Sequence, residues 1–347
     1  MNELTKDNSI QICEQLKTNK LNFYQFYNVD ITSEENSLIQ FKQRFKENKE
    51  PKILNKTYYD IEVINNLNEF PDPKKLKFPI NSIATYNNIL NESVIFVVLE
   101  SSNIMDISEL EELIKKEYEE LIKTNNVYEV LNMKIKVLNF NTEADMLEAF
   151  FSYMKDCRTL QLTGFNSSTF DDPYTFGRMY KLFDQNVAND IITDFGEVRN
   201  YSGSYSIIDY TNVDLLYLYK PIDAQGAGYG KSLPDYKLNT IAKKELKITK
   251  LELEGNFWDS FHKNIVNFLT YNMLDTILTF KLDDKLKFTE LIFELGKHNE
   301  STFSKSVMGR SLMFKDRNNH LYTTKGKLIR TRKFSDEINY PIYKGTV

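Results

Sequence analysis

Tyr58-Tyr59-Asp60-Ile61-Glu62-Val63 is the stretch on which the reading of the fold turns. Aromatic and β-branched residues dominate it, and a strand over Ile53–Val63 accommodates them. On a strand, Asp60 and Glu62 point to one face while Ile61 and Val63 point to the other. Two adjacent carboxylates above a helix-covered sheet repel each other, which raises a pKa unless a cation neutralises them. Such a pair suits a hard divalent ion held by oxygen. An edge strand with a solvated polar face carries the same D-x-E pattern, so the pair alone leaves the chemistry open.

Working outward, FPDPKKLKFP (70–79) is a proline-bounded turn, and Ile80–Tyr86 and Ser93–Glu100 are two further strands. Ser108–Lys123 is helical, Met133–Phe140 alternates as a strand, and Thr142–Asp156 is a helix with Met146, Leu147, Phe150 and Phe151 at helical spacing. A short strand (Thr159–Gly164), a helix (Pro173–Phe183) and a strand (Tyr205–Tyr210) follow. Gly226–Gly230 is a loop, and Pro234–Lys247 and Trp258–Asp283 are helices, with more helix over 286–315. Residues 321–334 form a basic hairpin turning at Lys325-Gly326. Upstream, residues 1–52 are polar and partly helical. There is no internal repeat. The class is α/β, with a mixed sheet flanked by helices.

The composition narrows the function. The chain of 347 residues is 41% apolar, 27% charged and 13% aromatic, which is enough to bury a core and excludes wholesale disorder. Its longest apolar runs, such as Val94–Leu99, are too short to span a membrane. The N-terminus lacks the layout of a signal peptide, so a cytoplasmic setting is expected. Cys13 and Cys157 do not make a disulfide framework, and His262, His298 and His320 have no ligand spacing. Any metal must therefore be held by oxygen. A net charge of −5 argues against a general polyanion-binding coat, though not against a local basic groove. Heavy use of Asn, Lys and Ile points to an AT-rich genome, such as that of a phage or a low-GC bacterium.

Two more acidic signals follow the first. In Gly164-Phe165-Asn166-Ser167-Ser168-Thr169-Phe170-Asp171-Asp172-Pro173 a strand gives way to a loop and then a helix. Asp172 directly before Pro173 reads as an N-cap, which leaves Asp171 to face a site or simply the solvent. In Tyr271-Asn272-Met273-Leu274-Asp275 the first and last residues are i and i+4 and share a helix face. A carboxylate amid Phe268, Leu269, Leu274, Ile277 and Leu278 is either paired or on a solvated stripe, because burying an unpaired charge is costly.

Taken together, a D-x-E strand, an N-x3-FD loop-to-helix and a Y-x3-D helix resemble the three exonuclease motifs of family B DNA polymerases. The similarity extends to FPDPKKLKFPINSIATYN, to TEADMLEAFFSYM and to SLPDYKLNTIAKKEL between the motifs. The resemblance implies a ribonuclease-H-like fold and a DEDDy-type 3′–5′ exonuclease over 53–300, with an N-terminal segment (1–52) and a C-terminal extension (301–347). It implies Asp60, Glu62, Asp171 and Asp275 as ligands of two Mg²⁺ or Mn²⁺ ions, with Tyr271 orienting the attacking water. Asp172 stands where the family usually has an aliphatic residue, so which of Asp171 and Asp172 ligates stays open. Asn166 and Phe170 are expected to touch the substrate. Phe165 is expected in the core.

The resemblance further implies a single-stranded DNA 3′ end as substrate and a palm-containing polymerase chain or domain as partner, with no membrane. No D-x-x-SLYPS- or D-T-D-type palm motif occurs, and Tyr340–Val347 resembles the lead-in to a palm. A split polymerase subunit and a truncated chain both fit. Lys325, Lys327 and Arg330, with Arg332 and Lys333, are expected to meet DNA or that partner. The competing reading is a DNA- or polymerase-binding assembly subunit whose catalysis is incidental or lost. An RNA-trimming enzyme on the same scaffold is a third.

Overall fold

The structure is a computed structural model and describes residues 54–299 apart from 67–68, 100–105, 195–197, 202–203, 208, 227–232, 249, 252 and 254–256. Its central strand is β1 (Lys56–Glu62). β1 pairs antiparallel with β2 (Ser82–Asn87) and parallel with β5 (Gln161–Gly164). Outside β2 lie β3 (Glu92–Val97), antiparallel to it, and then β4 (Lys134–Asn139), parallel to β3. β8 (Thr211–Asp214) runs parallel to β5 and gives the sheet order β4-β3-β2-β1-β5-β8. A separate hairpin joins β6 (Val198–Tyr201) to β7 (Ser204–Ile207). Setting aside the edge strand β4, a reversed second strand beside a central first strand is the ribonuclease-H-like arrangement.

The helices are α1 (Ile107–Thr124), α2 (Glu143–Asp156), α3 (Asp171–Leu182), α4 (Gln185–Ile192), α5 (Leu215–Gly226), α6 (Leu238–Glu245), α7 (Phe257–Lys263), α8 (Ile265–Leu286) and α9 (Phe288–Asn299). The described residues up to Leu291 belong to one compact unit, Lys52–Leu291, and residues 292–299 belong to another. Among the described residues, no helix is long and apolar enough to cross a membrane.

Apart from the edge strand β4, which is exposed on one face, the sheet is buried on both faces, and the alternation of β1 assigns each face its core. Tyr58 packs with Leu110 and Ile114 of α1 and with Phe268, Met273 and Ile277 of α8. Tyr59 and Ile61 pack on the other side, with Met146, Phe150 and Phe151 of α2 and Tyr174 and Met179 of α3. Asp60 and Glu62 therefore share the α8 side with Tyr58, and the edge-strand reading of the D-x-E pair is excluded because β1 is central. α8 is buried nearly all round from Phe268 to Thr279, as expected of a helix apolar on every side.

Several boundaries differ from those read in the sequence. Trp258–Asp283 is two helices, because Asn264 breaks the run and its side chain caps α8 by accepting the Asn267 N–H at 3.3 Å. The strand expected over Tyr205–Tyr210 ends at Ile207, and a separate strand, β8, begins at Thr211. The helix expected from Pro234 begins only at Leu238. α4, α5 and β6 were not anticipated, since their short apolar patterns depend on what they pack against.

Candidate active site

β1 and α8 bring the first and third acidic signals together. One carboxylate oxygen each from Asp60, Glu62 and Asp275 lies within 4.8 Å of the others. Asp275 is buried, which excludes the solvated-stripe reading of its helix face. Asp171 is the first residue of α3, and its Oδ1 accepts the Ile61 N–H at 3.2 Å, so the second signal reaches the same strand from the side. Asp171 is not one of the three mutually close carboxylates. It is near enough to Asp60 for that charge to act on it.

The electrostatics are those of crowded carboxylates. Burial, then the Asp275 charge, pushes Asp60 up to about 7, against the pull of Lys250 and of the Asn272 amide. Burial pushes Glu62 well above its ordinary value, reinforced by Asp60 and Asp275. Asp171 is likewise well raised, by burial first and then by Asp60 and Asp172. Asp275 is raised by burial to about 6, moderated by Lys250.

Lys250 is the cation in this cluster, and the sequence reading missed it. Its Nζ lies 2.5 Å from Asp275 Oδ2 and donates to the Tyr271 hydroxyl at 2.6 Å. Burial alone lowers its pKa, but Asp275 and Tyr271 more than reverse this, so the ammonium is held. The available signal was indirect. Asp275 within an apolar helix demands a partner, and Leu251 and Leu253 pack on the α8 core. Asn272 was also missed. It donates to Asp60 Oδ2 at 2.9 Å and accepts from the Ser82 hydroxyl at 2.6 Å, which fixes the Asp60 carboxylate.

Asp172 does not cap α3, a correction to the sequence reading. The helix starts two residues earlier, at Asp171 with Phe170 at the N-cap position, and the buried Asp172 carboxylate accepts the Tyr59 hydroxyl on the far side of β1. Burial raises Asp172 to about 7 despite that bond.

Two clefts open from the cluster. The one beside Glu62 is lined by Val63, Ile64, Phe70, Pro71, Phe170, Phe257 and Trp258. Phe170 meets Phe70 at 5.6 Å between ring centroids, and Phe70 is 81% exposed. Phe70 had been read only as part of a turn. The other cleft, beside Asp60 and Asp275, is lined by Phe165, Asn166, Leu216, Lys220, Tyr236, Lys237 and Lys250. Phe165 is thus half-buried on a cleft wall and not in the core. Asn166 sits in the left-handed region, with φ 63°, where its backbone N–H reaches Asp214 Oδ1 at 2.9 Å. Asn166 and Phe170 therefore lie on different clefts. Lys325, Lys327, Arg330, Arg332 and Lys333 lie outside the described residues.

The fold and the acidic centre define a ribonuclease-H-like protein with a carboxylate cluster on its central strand. Residues 4–241 match the family described as DNA polymerase family B, exonuclease domain. The chain belongs to this family, and with it to the class of 3′–5′ exonucleases. It is 26% identical over 245 residues to the DNA-directed DNA polymerase of Escherichia phage RB69, covering 69% of this chain and 26% of that protein. It is 25% identical over 253 residues to the DNA-directed DNA polymerase of Enterobacteria phage T4, covering 71% and 27%. The DNA polymerase catalytic subunit of Epstein-Barr virus (strain B95-8) is 32% identical over 120 residues, or 31% and 11%. The chain thus spans about a quarter of the length of its phage relatives.

Proposed function

We propose that this chain is a divalent-metal-dependent exonuclease that removes nucleotides from single-stranded or frayed DNA 3′ ends, as the proofreading part of a family B polymerase. One observation carries the reading. Asp60, Glu62 and Asp275 converge within 4.8 Å, Asp171 stands alongside, and Lys250 is the one ammonium paired within this group among the described residues. Four carboxylates and one ammonium leave a deficit that hard divalent cations fit, and the donor set is all oxygen. A protein that only binds DNA has no use for such mutual repulsion, which sets aside the assembly-subunit reading.

Asp60, Glu62, Asp171 and Asp275 would hold two Mg²⁺ or Mn²⁺ ions. When bound, such ions make water a nucleophile near neutral pH and stabilise the leaving oxygen. The remaining work falls to the chain's own groups. Asn272 holds the Asp60 carboxylate in place. The Tyr271 hydroxyl keeps its proton, because burial and then Asp275 raise its pKa. That hydroxyl accepts from Lys250, which leaves its own proton free to donate to the attacking water. In the Glu62 cleft, Phe70, Phe170 and Phe257 offer ring faces to the terminal base, a sequence-tolerant contact. Asn166 lines the other cleft and would bond the strand there. The basic stretch at Lys325, Lys327 and Arg330 and a palm-containing partner belong to the same reading, as does action in the cytoplasm of a phage-infected or bacterial cell.

The test is incubation with a 5′-labelled single-stranded oligonucleotide and Mg²⁺ or Mn²⁺, with and without chelator. A ladder shortening from the 3′ end that chelator stops is expected. Intact oligonucleotide with both ions, or cleavage that survives the chelator, would overturn the proposal.

A further inference from the structure

We propose that the cleft lined by Lys220 and Lys237 seats the backbone phosphates on the 5′ side of the scissile bond, so that the two clefts set the direction of the bound strand. The inference rests on the exonuclease reading above and adds the path and the polarity of the substrate.

A 3′ end is electrically asymmetric. Beyond the scissile phosphate the terminal nucleoside carries a hydroxyl and no further charge. On the 5′ side every nucleotide brings another phosphate. The two clefts differ in the same way. Among the described residues, no lysine or arginine lines the cleft beside Glu62, whose walls are aromatic and aliphatic apart from Asn65 and the carboxylates Glu62 and Glu69. The cleft beside Asp60 and Asp275 carries Lys220 and Lys237 in addition to the buried Lys250. Lys250 is committed to Asp275 and Tyr271. Lys220 and Lys237 are exposed, and neither forms an ion pair with a described carboxylate. Lys220 Nζ has the Tyr236 ring 5.6 Å away. Two exposed ammoniums, one over the Tyr236 ring and one within Coulombic reach of Asp235 but in no ion pair with it, stand next to an anion-repelling cluster and suit a polyanion that must be drawn towards that cluster.

The wall that carries them is braced. Asp214, at the end of β8, accepts the N–H groups of Leu216 and Tyr217 at 2.9 and 3.4 Å and thereby starts α5. The same carboxylate accepts the N–H groups of Asn166 and Ser168 at 2.9 and 3.3 Å. Leu216 and Lys220 are i and i+4 on α5 and face the cleft together. The loop bearing Asn166 and the helix bearing Lys220 thus share one anchor. Lys237 leads into α6, where the Asn239 side chain accepts the Lys250 N–H at 3.0 Å and ties that wall to the centre.

The experiment uses the full chain and a fluorescent oligothymidylate of eight nucleotides, with binding read by anisotropy in Ca²⁺. Single phosphates are made neutral as methylphosphonates, at the second and third linkages from the 3′ end or at the linkage nearest the 5′ end. In the unaltered protein, the second and third linkages should each weaken binding several-fold, and the distal one should not. Lys220→Gln with Lys237→Gln should weaken binding of the unmodified strand, and the neutral linkages should then cost nothing more. The salt dependence should flatten by about 1.4 in log–log slope, at about 0.7 per single-strand phosphate contact. Equal losses from neutral linkages in both proteins would overturn the inference, as would unaltered binding of neutral linkages by the native chain. If the native chain trims the unmodified oligonucleotide, such a result sinks only the strand path. If it trims nothing with either metal, the exonuclease reading itself fails.

Discussion

Two groups of buried or half-buried carboxylates on opposite sides of the sheet show what separates a fold-holding charge from a reactive one. On the α2 side, Glu143 is fully matched. Its Oε1 accepts from Arg178 Nε and from the Ile80 N–H, both at 2.8 Å, and its Oε2 pairs with the other arm of the guanidinium. Arg178 also donates to the Leu76 carbonyl at 2.9 Å, which secures the turn that follows Phe70. On the α8 side, Asp60, Glu62 and Asp275 share the one ammonium of Lys250. Glu143 and Asp275 are buried, and Asp60 and Glu62 are half-buried. The first group is neutral and closed, whereas the second is under-neutralised and open to two clefts. The lesson is that burial alone does not mark a site, but burial with an unmet charge does.

The largest expected effect breaks the open group. Asp60→Ala with Glu62→Ala should abolish nuclease activity, by orders of magnitude, and leave metal-free thermal stability equal or higher, because two repelling charges are removed. Single-turnover cleavage and melting curves check both halves, and near-native cleavage would refute the assignment. The closed group should fail in the opposite manner. Arg178→Met strands a buried Glu143 and should cost about 3–5 kcal/mol of stability, measured by denaturant unfolding. A loss below about 1 kcal/mol would show that the pair is not closed in solution.

A smaller effect tests the shared ammonium. Lys250→Met should lower the cleavage rate by about 10²–10³, the size of a lost electrostatic contact at a reacting centre. Tyr271→Phe should lower it less, since it removes one orienting hydrogen bond and spares the charge. If Tyr271→Phe were the more damaging of the two, Lys250 would act only through the fold.

The smallest effect sharpens the contrast through pH. Asp60 near 7 and Asp275 near 6 bind protons more tightly in the folded chain than unfolded, where carboxyls titrate near 4. The folded state therefore holds more protons between about pH 4 and 7, and stability falls as pH rises through that window. Metal-free protein should melt higher at pH 5.5 than at pH 7.5. Saturating Mg²⁺ should raise the melting temperature at pH 7.5 and flatten the difference. A metal-free melting temperature that rises with pH would contradict the repulsion.

The sequence by itself carried the class and the central strand. Alternation around Asp60 and Glu62 is local information, because side chains on a strand point to opposite faces whatever surrounds them. The i, i+4 pairing of Tyr271 with Asp275 is local in the same sense. Residue order also made the family resemblance legible, since the three motifs keep their sequence along the chain. What the sequence left open were partners that meet only across the fold. It read Asp172 as a cap because a following proline explains a cap locally, whereas the Tyr59 hydroxyl 113 positions away holds that carboxylate. It passed over Lys250 because a lysine has no motif of its own, and its value comes from Asp275 on another element. It placed Phe165 in the core and Phe70 in a turn because hydrophobicity states a preference for burial and not a location. The tertiary structure decided which charges are matched and which are left open, because Coulomb energy depends on distance and on exclusion of water, and neither is fixed by neighbours in sequence.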